Sequence, residues 1–560
     1  MAREKSASSR VWSRREIEGL IAEGRKIVIL DGQVIKADAW LKYHPGGDLS
    51  ILHMVGRDGT DEIRALHSLE TQAYMRKFVI GRIAGRWTNF LPPIQGGQFR
   101  PYVAGEDEHP GDDDGEETAS SSSSGAPPSP LFDPVEKRGK REVDATSFSS
   151  ATSVGPDETA SSAIHDPIAT TVAAELCSDL RKYPSLNHTS QDNIVAKYRE
   201  LDARVRAAGL YQCPYGSYGI ECCRYVLFFS LFLIGLHYSH YALSAFFLGL
   251  VWHQLVFTAH DAAHISITHN FHVDSCIGII IADFIGGLSL GWWKRNHNVH
   301  HIVTNSPEHD PDIEHIPFFA ISTRFFHSLR STYYDRIMPF DAFAQWSIAK
   351  QHWLYYPILA FGRFNLYRLS WEYLFLGLGP RRGPAWWHRY LEILGHLFFW
   401  TWFGYGVVYR SIPTAWDRFV FIMISHIVTA PLHVQITLSH FAMSTADLGE
   451  HESFPQKMLR TTMDVDCPTW LDFFHGGLQF QAVHHLFPRL PRHNLRKAQM
   501  YVKEFCEETG IPYVIYGFTR GNQEVIGRLG EVAKQVKVFD ECRKACARDV
   551  VEGHVSAFAR

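Results

Sequence analysis

The chain has 560 residues and carries 55 Lys and Arg against 59 Asp and Glu, a formal net charge of −4. This length is too great for one ordinary domain, and the lack of a basic surplus argues against a nucleic-acid-binding protein. The hydrophobic fraction of 46% is ordinary for a globular protein, but the apolar residues are unevenly distributed. The nine cysteines form no C-x-x-C pair, which argues against a disulfide scaffold.

Residues 8–90 are predicted to form a small α+β domain. Two short apolar runs flank an Asp-Gly hairpin signal at positions 31 and 32, and helical patterns follow. His44 begins a His-Pro-Gly-Gly sequence, and His67 lies 23 residues later. Two imidazoles from separate segments can bind a haem iron from both sides, which suits electron transfer rather than O2 binding. His53 is a weaker candidate because it is close to His44 in the chain, and ordinary surface histidines are the alternative to a haem site.

Residues 96–165 are predicted to be a disordered linker. The segment is rich in acidic residues, Ser and Gly, and includes five consecutive serines at 120–124. Such a composition buries too little apolar area to offset the entropy of ordering it. The basic cluster 137–141 could contact anionic lipid, but a solvated run of charges is the simpler interpretation.

The longest uncharged segment predicts a membrane-spanning hairpin. The 36 residues between Arg224 and Asp261 include no Asp, Glu, Lys or Arg. As one helix they would be about 54 Å long at 1.5 Å per residue, whereas a bilayer core is about 30 Å thick. We therefore predict two short spans with a turn near 237–241.

Further apolar segments complete an all-α membrane domain, taken as 186–510, with a cytosolic C-terminal tail at 511–560. Spans at 393–409 and 419–440 bring the predicted number of transmembrane helices to four. The segment 275–291 contains Asp283 and two consecutive glycines, so we predict that it does not cross. The 11 Lys and Arg of residues 292–390 place that loop in the cytosol.

Three histidine clusters flank these apolar segments. The His-x-x-His-His pattern is expected by chance only about 0.1 times (31³/560²) in this chain, yet it occurs once and has a near-copy that begins with Gln. Residues at i, i+3 and i+4 share a helix face, so each cluster is expected to direct its side chains at a single point. The clusters are His260 and His264; His297, His300 and His301; Gln481, His484 and His485.

These residue types indicate a metal centre. Imidazole suits Zn, Cu, Fe or Ni, and one structural zinc needs four ligands, so seven histidines and a glutamine suffice for two metals. His440, at the end of the last apolar segment, is a candidate eighth histidine, although a hydrogen-bonded polar residue in a bundle is the alternative. Because all clusters must reach one centre, an even number of spans must separate them. Histidines that could orient the ligand rings are His269, His272, His309 and His315.

Longer stretches resemble known families. Residues 38–47 resemble the cytochrome b5 family, over about 80 residues of the head. The three clusters resemble the histidine boxes of the membrane fatty-acyl desaturases, a non-haem di-iron family. The fused head and the Gln that opens the third box are similar to the front-end and sphingolipid desaturase branch. Residues 292–301, 308–313 and 480–493 look most like fungal Δ8 sphingolipid desaturases.

The resemblance implies an N-terminal α+β cytochrome b5-like haem domain and a four-span desaturase domain with a cytosolic His-rich cap. His44 and His67 would bind haem b, and no catalytic residue is expected beyond the metal ligands. Two non-haem iron ions would be bound by His260, His264, His297, His300, His301, His440, Gln481, His484 and His485.

The implied reaction is the O2-dependent introduction of a Δ8-(E) double bond into the long-chain base of ceramide or a related sphingolipid. The electrons would come from an NADH-cytochrome b5 reductase. The implied location is the endoplasmic reticulum membrane, with several spans and with both termini and the active site in the cytosol. The alternatives are a front-end acyl desaturase, a lipid hydroxylase and, outside enzymes, a membrane haem electron carrier with structural zinc.

Overall fold

The head is built on a four-stranded sheet in the computed structural model, which describes residues 10–103 and 167–558. The strand order is β1-β4-β3-β2, with β2 and β3 antiparallel and β1 parallel to β4. The predicted hairpin is confirmed, with both turn residues at positive φ (51° for Asp31 and 71° for Gly32). The strands are β1 (Val11–Trp12), β2 (Ile27–Leu30), β3 (Gln33–Lys36) and β4 (Val79–Ile83).

Four short helices pack around this sheet. A capping box joins Ser13 and Glu16 at the start of the first helix, which satisfies backbone N–H groups that would otherwise have no partner. The core of the head consists of Ile17, Ile21, Ile27, Ile29, Val34 and Val55. The helices are α1 (Arg14–Ala22), α2 (Leu49–Leu52), α3 (Thr60–Leu66) and α4 (Leu69–Met75).

The start of the predicted linker is wrong, because residues 96–103 pack against the head. The ring of Phe99 lies 5.4 Å from that of Phe90, edge to face. Tyr102 covers Gly19 so closely that a Cβ atom there would lie 2.4 Å from the Tyr102 Cβ. These aromatic rings cover apolar surface of the head, which a count of acidic and Ser residues could not reveal. The remaining linker prediction, including the basic cluster 137–141, lies outside the described residues.

The body is helical. Two helices continue as π-helical stretches, α9 over Ile280–Ile285 and α14 over Trp400–Ser411. Two small sheets are formed by Arg330–Ser331 with Arg336–Ile337 and by Asp464–Asp466 with Ile515–Gly517. The helices are α5 (Pro167–Lys182), α6 (His188–Ala207), α7 (Tyr215–His237), α8 (Tyr241–Ala263), α9 (Phe271–Ile279), α10 (Leu290–Val303), α11 (Ala342–Ile348), α12 (Gln351–Ala360), α13 (Gly362–Leu376), α14 (His388–Phe399), α15 (Ala415–Ile427), α16 (Ala430–Phe441), α17 (Phe454–Thr461), α18 (Asp472–His475), α19 (Gln481–Leu486), α20 (Leu495–Thr509) and α21 (Phe518–Phe558).

Three helices of the described chain are long and apolar enough to cross a membrane: α7, α8 and the combined α15–α16. The turn between α7 and α8 lies where it was predicted. Helix α9 with its extension and α10 also qualify as a pair, but they are bent by 117°, the geometry of either a broken span or a segment that enters without crossing. The predicted span at 393–409 is helical within α14 and its extension but is not among the three. The helical membrane domain is confirmed, and the count of four spans stays a prediction.

The outer boundaries of the body differ from the prediction. The body begins with α5 rather than at residue 186, since Asp179 on α5 accepts a hydrogen bond from the buried Arg460 at 3.1 Å. The predicted C-terminal tail is part of the body as well. Its residues at i, i+4, i+7 and i+11 form one apolar stripe of α21, which packs into the core with Tyr355 and Leu438. The stripe consists of Val525, Leu529, Val532 and Val536.

Candidate metal centre and its interface with the head

All nine predicted metal ligands converge inside the body. The first cluster lies at the end of α8, the second on α10 and the third on α19, and His440 lies near the end of α16. All of these residues are buried except His260, whose side chain is 21% exposed. Four helices, α8, α10, α16 and α19, therefore place side chains from distant parts of the sequence around one interior site.

The histidines form two groups, in each of which the ligand atoms lie within 4.8 Å of one another. His297 belongs to one group and His300 to the other, and His484 and His485 are divided in the same way, so the expectation that each cluster aims at a single point is wrong for the second and third clusters. Adjacent residues of an α-helix point in directions about 100° apart, which separates His484 from His485. The first group is His260, His264, His297 and His484, and the second is His300, His440 and His485.

His301 and Gln481 complete the two groups. The Nε2 atom of His301 lies 3.1 Å from that of His297, and its ring centroid lies 4.3 Å from that of His485. His301 therefore adjoins both groups. The Nε2 atom of Gln481 lies 3.5 Å from the Nε2 atom of His440, so the glutamine adjoins the second group.

The donor atoms of this site fit metal ions. Buried polar atoms normally have hydrogen-bonding partners, but six ring nitrogens here are buried without one among the described residues. They are the Nε2 atoms of His260, His264, His484 and His485 and the Nδ1 atoms of His301 and His440. Burial, followed by the neighbouring histidines, lowers the pKa of His484 and His485 well below the ordinary value. These rings are therefore neutral, the form that binds metal, and eight imidazoles exceed what one tetrahedral ion needs.

Asp310 orients one of the ligand rings. The Nδ1 atom of His300 donates to the two carboxylate oxygens of Asp310 at 2.9 and 3.0 Å. Asp310 is fully buried, and it also accepts from the backbone N–H of Asn305 at 2.7 Å. A carboxylate bonded to Nδ1 fixes the ring so that Nε2 faces the metal. Asp312 lies beside the first group, with its Oδ2 atom 3.9 Å from the Nδ1 atom of His297.

The histidines that were expected to orient the ligand rings make other contacts. His309 bonds to Thr332 at 3.1 Å, and the ring of His315 packs against Phe441. His269 bonds to backbone carbonyls and His272 stacks on Trp387. The available signal was an Asp-Pro-Asp sequence nine residues after the second cluster, since carboxylates are common partners of metal-bound histidines.

A buried arginine links the first cluster to the segment after the third. The guanidinium of Arg492 donates to the carboxylates of Asp261 and Glu221, and its Nη2 atom donates to Thr258 at 3.1 Å. Asp261 lies directly after His260 and also accepts from the Tyr218 hydroxyl. Asp464 holds the third cluster in a similar way, because it accepts from the backbone N–H of Ala482 at 2.8 Å.

The predicted haem ligands face each other in the head. The ring centroids of His44 and His67 are 5.9 Å apart. The Nδ1 atom of His44 donates to the Gly47 carbonyl at 2.7 Å, and that of His67 donates to the Ile63 carbonyl at 3.1 Å. Burial and then the neighbouring His44 lower the pKa of His67 to about 3. Each neutral ring therefore keeps Nε2 for an iron, an arrangement that fits a haem bound from both sides.

His53 has a different role. It is fully buried, its Nδ1 atom is 2.9 Å from the Gln95 amide nitrogen, and its ring lies 5.4 Å from that of His309 in the body. It therefore belongs to the contact between head and body, consistent with its lower rank as a haem ligand.

The head rests directly on the helix that carries the second cluster. An apolar cluster joins Val28, Leu49 and Met54 of the head to Val299, Ile302 and Val303 of α10. The Nη2 atom of Arg295 lies 3.0 Å from the Asp48 carboxylate, and the Asn298 side chain donates to the Gly46 carbonyl at 3.5 Å. Farther away, Arg199 on α6 pairs with Asp61 of the head at 2.8 Å.

The chain thus combines a head that carries a facing histidine pair with a helical membrane body that contains eight clustered histidines. This combination is typical of a membrane protein with a haem domain and a separate metal site. The family described as "Fatty acid desaturase" matches residues 236–517, and the family described as "Cytochrome b5-like Heme/Steroid binding domain" matches residues 13–84. The chain belongs to the fatty acid desaturase family and carries an N-terminal cytochrome b5-like domain.

Similar proteins match almost the whole chain. A Delta 8-(E)-sphingolipid desaturase of Emericella nidulans is 62% identical over 540 residues, which cover 96% of this chain and 97% of the relative. Relatives described in the same words come from Kluyveromyces lactis (51% identical, 97% of this chain and 96% of the relative) and Candida albicans (47%, 96% and 98%). The resemblance expected from the sequence is confirmed.

Proposed function

We propose that this protein is a Δ8-(E)-sphingolipid desaturase. It is an oxidoreductase that introduces a trans double bond at carbon 8 of the long-chain base of ceramide or a related sphingolipid. The observation that carries the proposal is the convergence of eight histidines and Gln481 in one buried site, in a chain 47–62% identical to proteins of that name. The reaction converts CH2–CH2, O2, two protons and two electrons into CH=CH and two waters.

The two histidine sets have separate roles. His44 and His67 would hold haem b, and the eight histidines of the body with Gln481 would hold two iron ions. Bound iron supplies the O2 chemistry that removes hydrogen from unactivated CH2 groups, and the haem supplies single electrons. Asp310 keeps the proton of His300 on Nδ1, and Arg492 holds Asp261 beside His260. Burial of nearly all these groups excludes water from the site.

Trp293 provides an apolar surface next to the metal centre. Its ring stacks on His297 with centroids 4.2 Å apart and lies 5.2 Å from the ring of His260. It also packs with Ala263, Ile279 and Leu290, which belong to helices of the body. We propose that the alkyl chain of the substrate contacts this ring.

We propose that the protein lies in the endoplasmic reticulum membrane, with both termini and the metal centre in the cytosol. We also propose that it accepts electrons from an NADH-cytochrome b5 reductase. The 11 Lys and Arg of residues 292–390 support the orientation. Because His301 and Gln481 share one centre, an even number of spans must separate them. We therefore propose that residues 388–411 form the fourth span, which gives two spans between these residues together with α15–α16.

Expression in a host that lacks the activity tests the proposal. Mass spectrometry of the long-chain bases should locate a new trans double bond at carbon 8, and the His300→Ala variant should produce none. If long-chain bases stay unchanged while fatty acids gain a double bond near the carboxyl end, the protein is a front-end acyl desaturase. Hydroxylated bases without the alkene would identify a hydroxylase.

A further inference from the structure

Helix α10 separates the head from the metal centre as a wall one helix thick. On one face it carries His297, His300 and His301, which belong to the two histidine groups. On its other sides, Arg295 and Asn298 contact the head. An α-helix with its side chains is only about 10–12 Å across, so the two candidate cofactor sites face each other across a single element.

One connection across this wall passes through Asn298. Its Nδ2 atom donates to the Gly46 carbonyl at 3.5 Å. Gly46 lies two residues after His44, and Asn298 directly follows His297. A Cβ atom at Gly46 would lie 2.5 Å from the Asn298 Nδ2 atom and 2.9 Å from the His44 ring. The His44 ring and the Asn298 amide therefore lie on two sides of Gly46, both close enough to clash with a single Cβ atom there, and Asn298 is covalently joined to His297, a ligand of the first metal group.

A second set of contacts holds this loop in register. The Nη2 atom of Arg295 lies 3.0 Å from the carboxylate of Asp48, one turn of α10 before Asn298. Gly47 lies against the same side chain, since a Cβ atom there would be 2.9 Å from the Arg295 Cγ atom. The apolar contact between Leu49 and Val299 continues the interface.

We infer that Asn298 is the bridge for electron transfer from the head to the metal centre, and that Arg295 positions the loop that contains His44 against it. This inference rests on the proposed function, because it requires haem at His44 and His67 and redox-active metal at His297. In each transfer, ferrous haem becomes ferric and one metal ion gains one electron, and no proton moves. A one-electron donor outside the chain restores the haem, and two transfers supply one desaturation.

The test uses full-length protein that contains haem and iron. The haem is reduced chemically, excess reductant is removed, and re-oxidation is followed by stopped-flow absorbance after mixing with O2 and ceramide. Asn298→Ala removes the side chain, and Asn298→Asp replaces the donor by an acceptor of the same size. Both variants should re-oxidise about tenfold more slowly, equivalent to about 1.4 kcal/mol in the barrier. Arg199→Ala, which removes another ion pair between head and body, is the matched control and should resemble the parent.

A charge exchange separates positioning from a loss of folding. Arg295→Asp should slow re-oxidation because it places two carboxylates together, and the double variant Asp48→Arg/Arg295→Asp should recover most of the rate. If both Asn298 variants re-oxidise within about twofold of the parent, the role of Asn298 as a bridge is wrong. If the Asn298 variants lose haem or iron, the charge exchange decides instead, and a double variant that does not recover the re-oxidation rate would overturn the proposal. A failure of the proposed function is distinguishable, because the parent itself would then lack haem, lack iron or form no alkene.

Discussion

Arg492 and Asp261 lie 231 positions apart in the chain, yet the guanidinium of the first donates to the carboxylate of the second inside the body. Arg492 follows the third histidine cluster, and Asp261 lies within the first. Glu221 on α7 accepts from the same guanidinium, so one cation serves two buried carboxylates. This network fixes the first cluster relative to the third and so sets the shape of the first metal group.

Arg492→Ala should strongly destabilise the body and lower its iron content. Removal of one partner from a buried ion pair costs about 3–5 kcal/mol because the remaining charge is left without compensation. Arg368→Ala is the control, since Arg368 pairs with Glu372 on the surface, and such pairs contribute about 0.2–1 kcal/mol. Thermal unfolding of the detergent-solubilised variants measures the difference, and equal losses in both would contradict the role of Arg492.

Asp310→Asn should weaken metal binding without unfolding the protein. The amide keeps the shape of the carboxylate but no longer accepts at both oxygens from the Nδ1 atom of His300, and loss of such a partner typically costs about 10- to 100-fold in metal affinity. Iron retained after dialysis against a chelator is the measurement. Asp335→Asn, at an exposed ion pair with Arg330, is the control and should retain iron like the parent. If Asp310→Asn also retains iron like the parent, Asp310 does not orient His300 for metal binding.

His44→Ala and His67→Ala should each abolish the six-coordinate low-spin haem spectrum of the full-length protein, because each removes one axial ligand. The iron content of the body should stay near that of the parent. His53→Ala is the matched control in the same domain, since its ring contacts Gln95 and His309, and its spectrum should be normal. A normal spectrum from both single variants at His44 and His67 would refute the assignment.

The purified protein should contain two non-haem iron ions for each haem. An iron chelator should remove the non-haem iron and abolish desaturation, while the haem remains reducible by a one-electron donor. Added ferrous iron should restore activity and added zinc should not, because zinc has no redox chemistry. Elemental analysis that finds zinc in place of non-haem iron would favour an electron carrier with a structural metal.

A glycosylation tag inserted after Arg381, between α13 and α14, should remain unmodified because this loop is predicted to be cytosolic. The same tag with a spacer, placed in the turn at 238–240 between α7 and α8, should be glycosylated in the lumen. The insertion at 238–240 is the positive control, because it shows that the tag can be glycosylated. Modification at Arg381 would exclude the proposed orientation and the four-span arrangement.

Much of this architecture could be predicted from local patterns. The spacing of His297, His300 and His301 places them on one face of a helix whatever the rest of the chain does. The uncharged run before Asp261 is too long for one span and predicts the α7–α8 hairpin, and the Asp-Gly dipeptide at 31–32 predicts the β2–β3 turn. These features depend on a few adjacent residues, so the amino-acid sequence by itself determines them.

Other features arise from contacts between distant segments, and only the tertiary structure decided them. The division of His484 and His485 between two metal groups depends on how α19 is rotated against α8 and α10, which no local pattern specifies. The choice of Asp310 over His309 as the partner of His300 follows from the path of a loop. The inclusion of α21 in the core and the contact of Asn298 with Gly46 likewise require surfaces that exist only after folding, because each is formed by segments that are far apart in the chain.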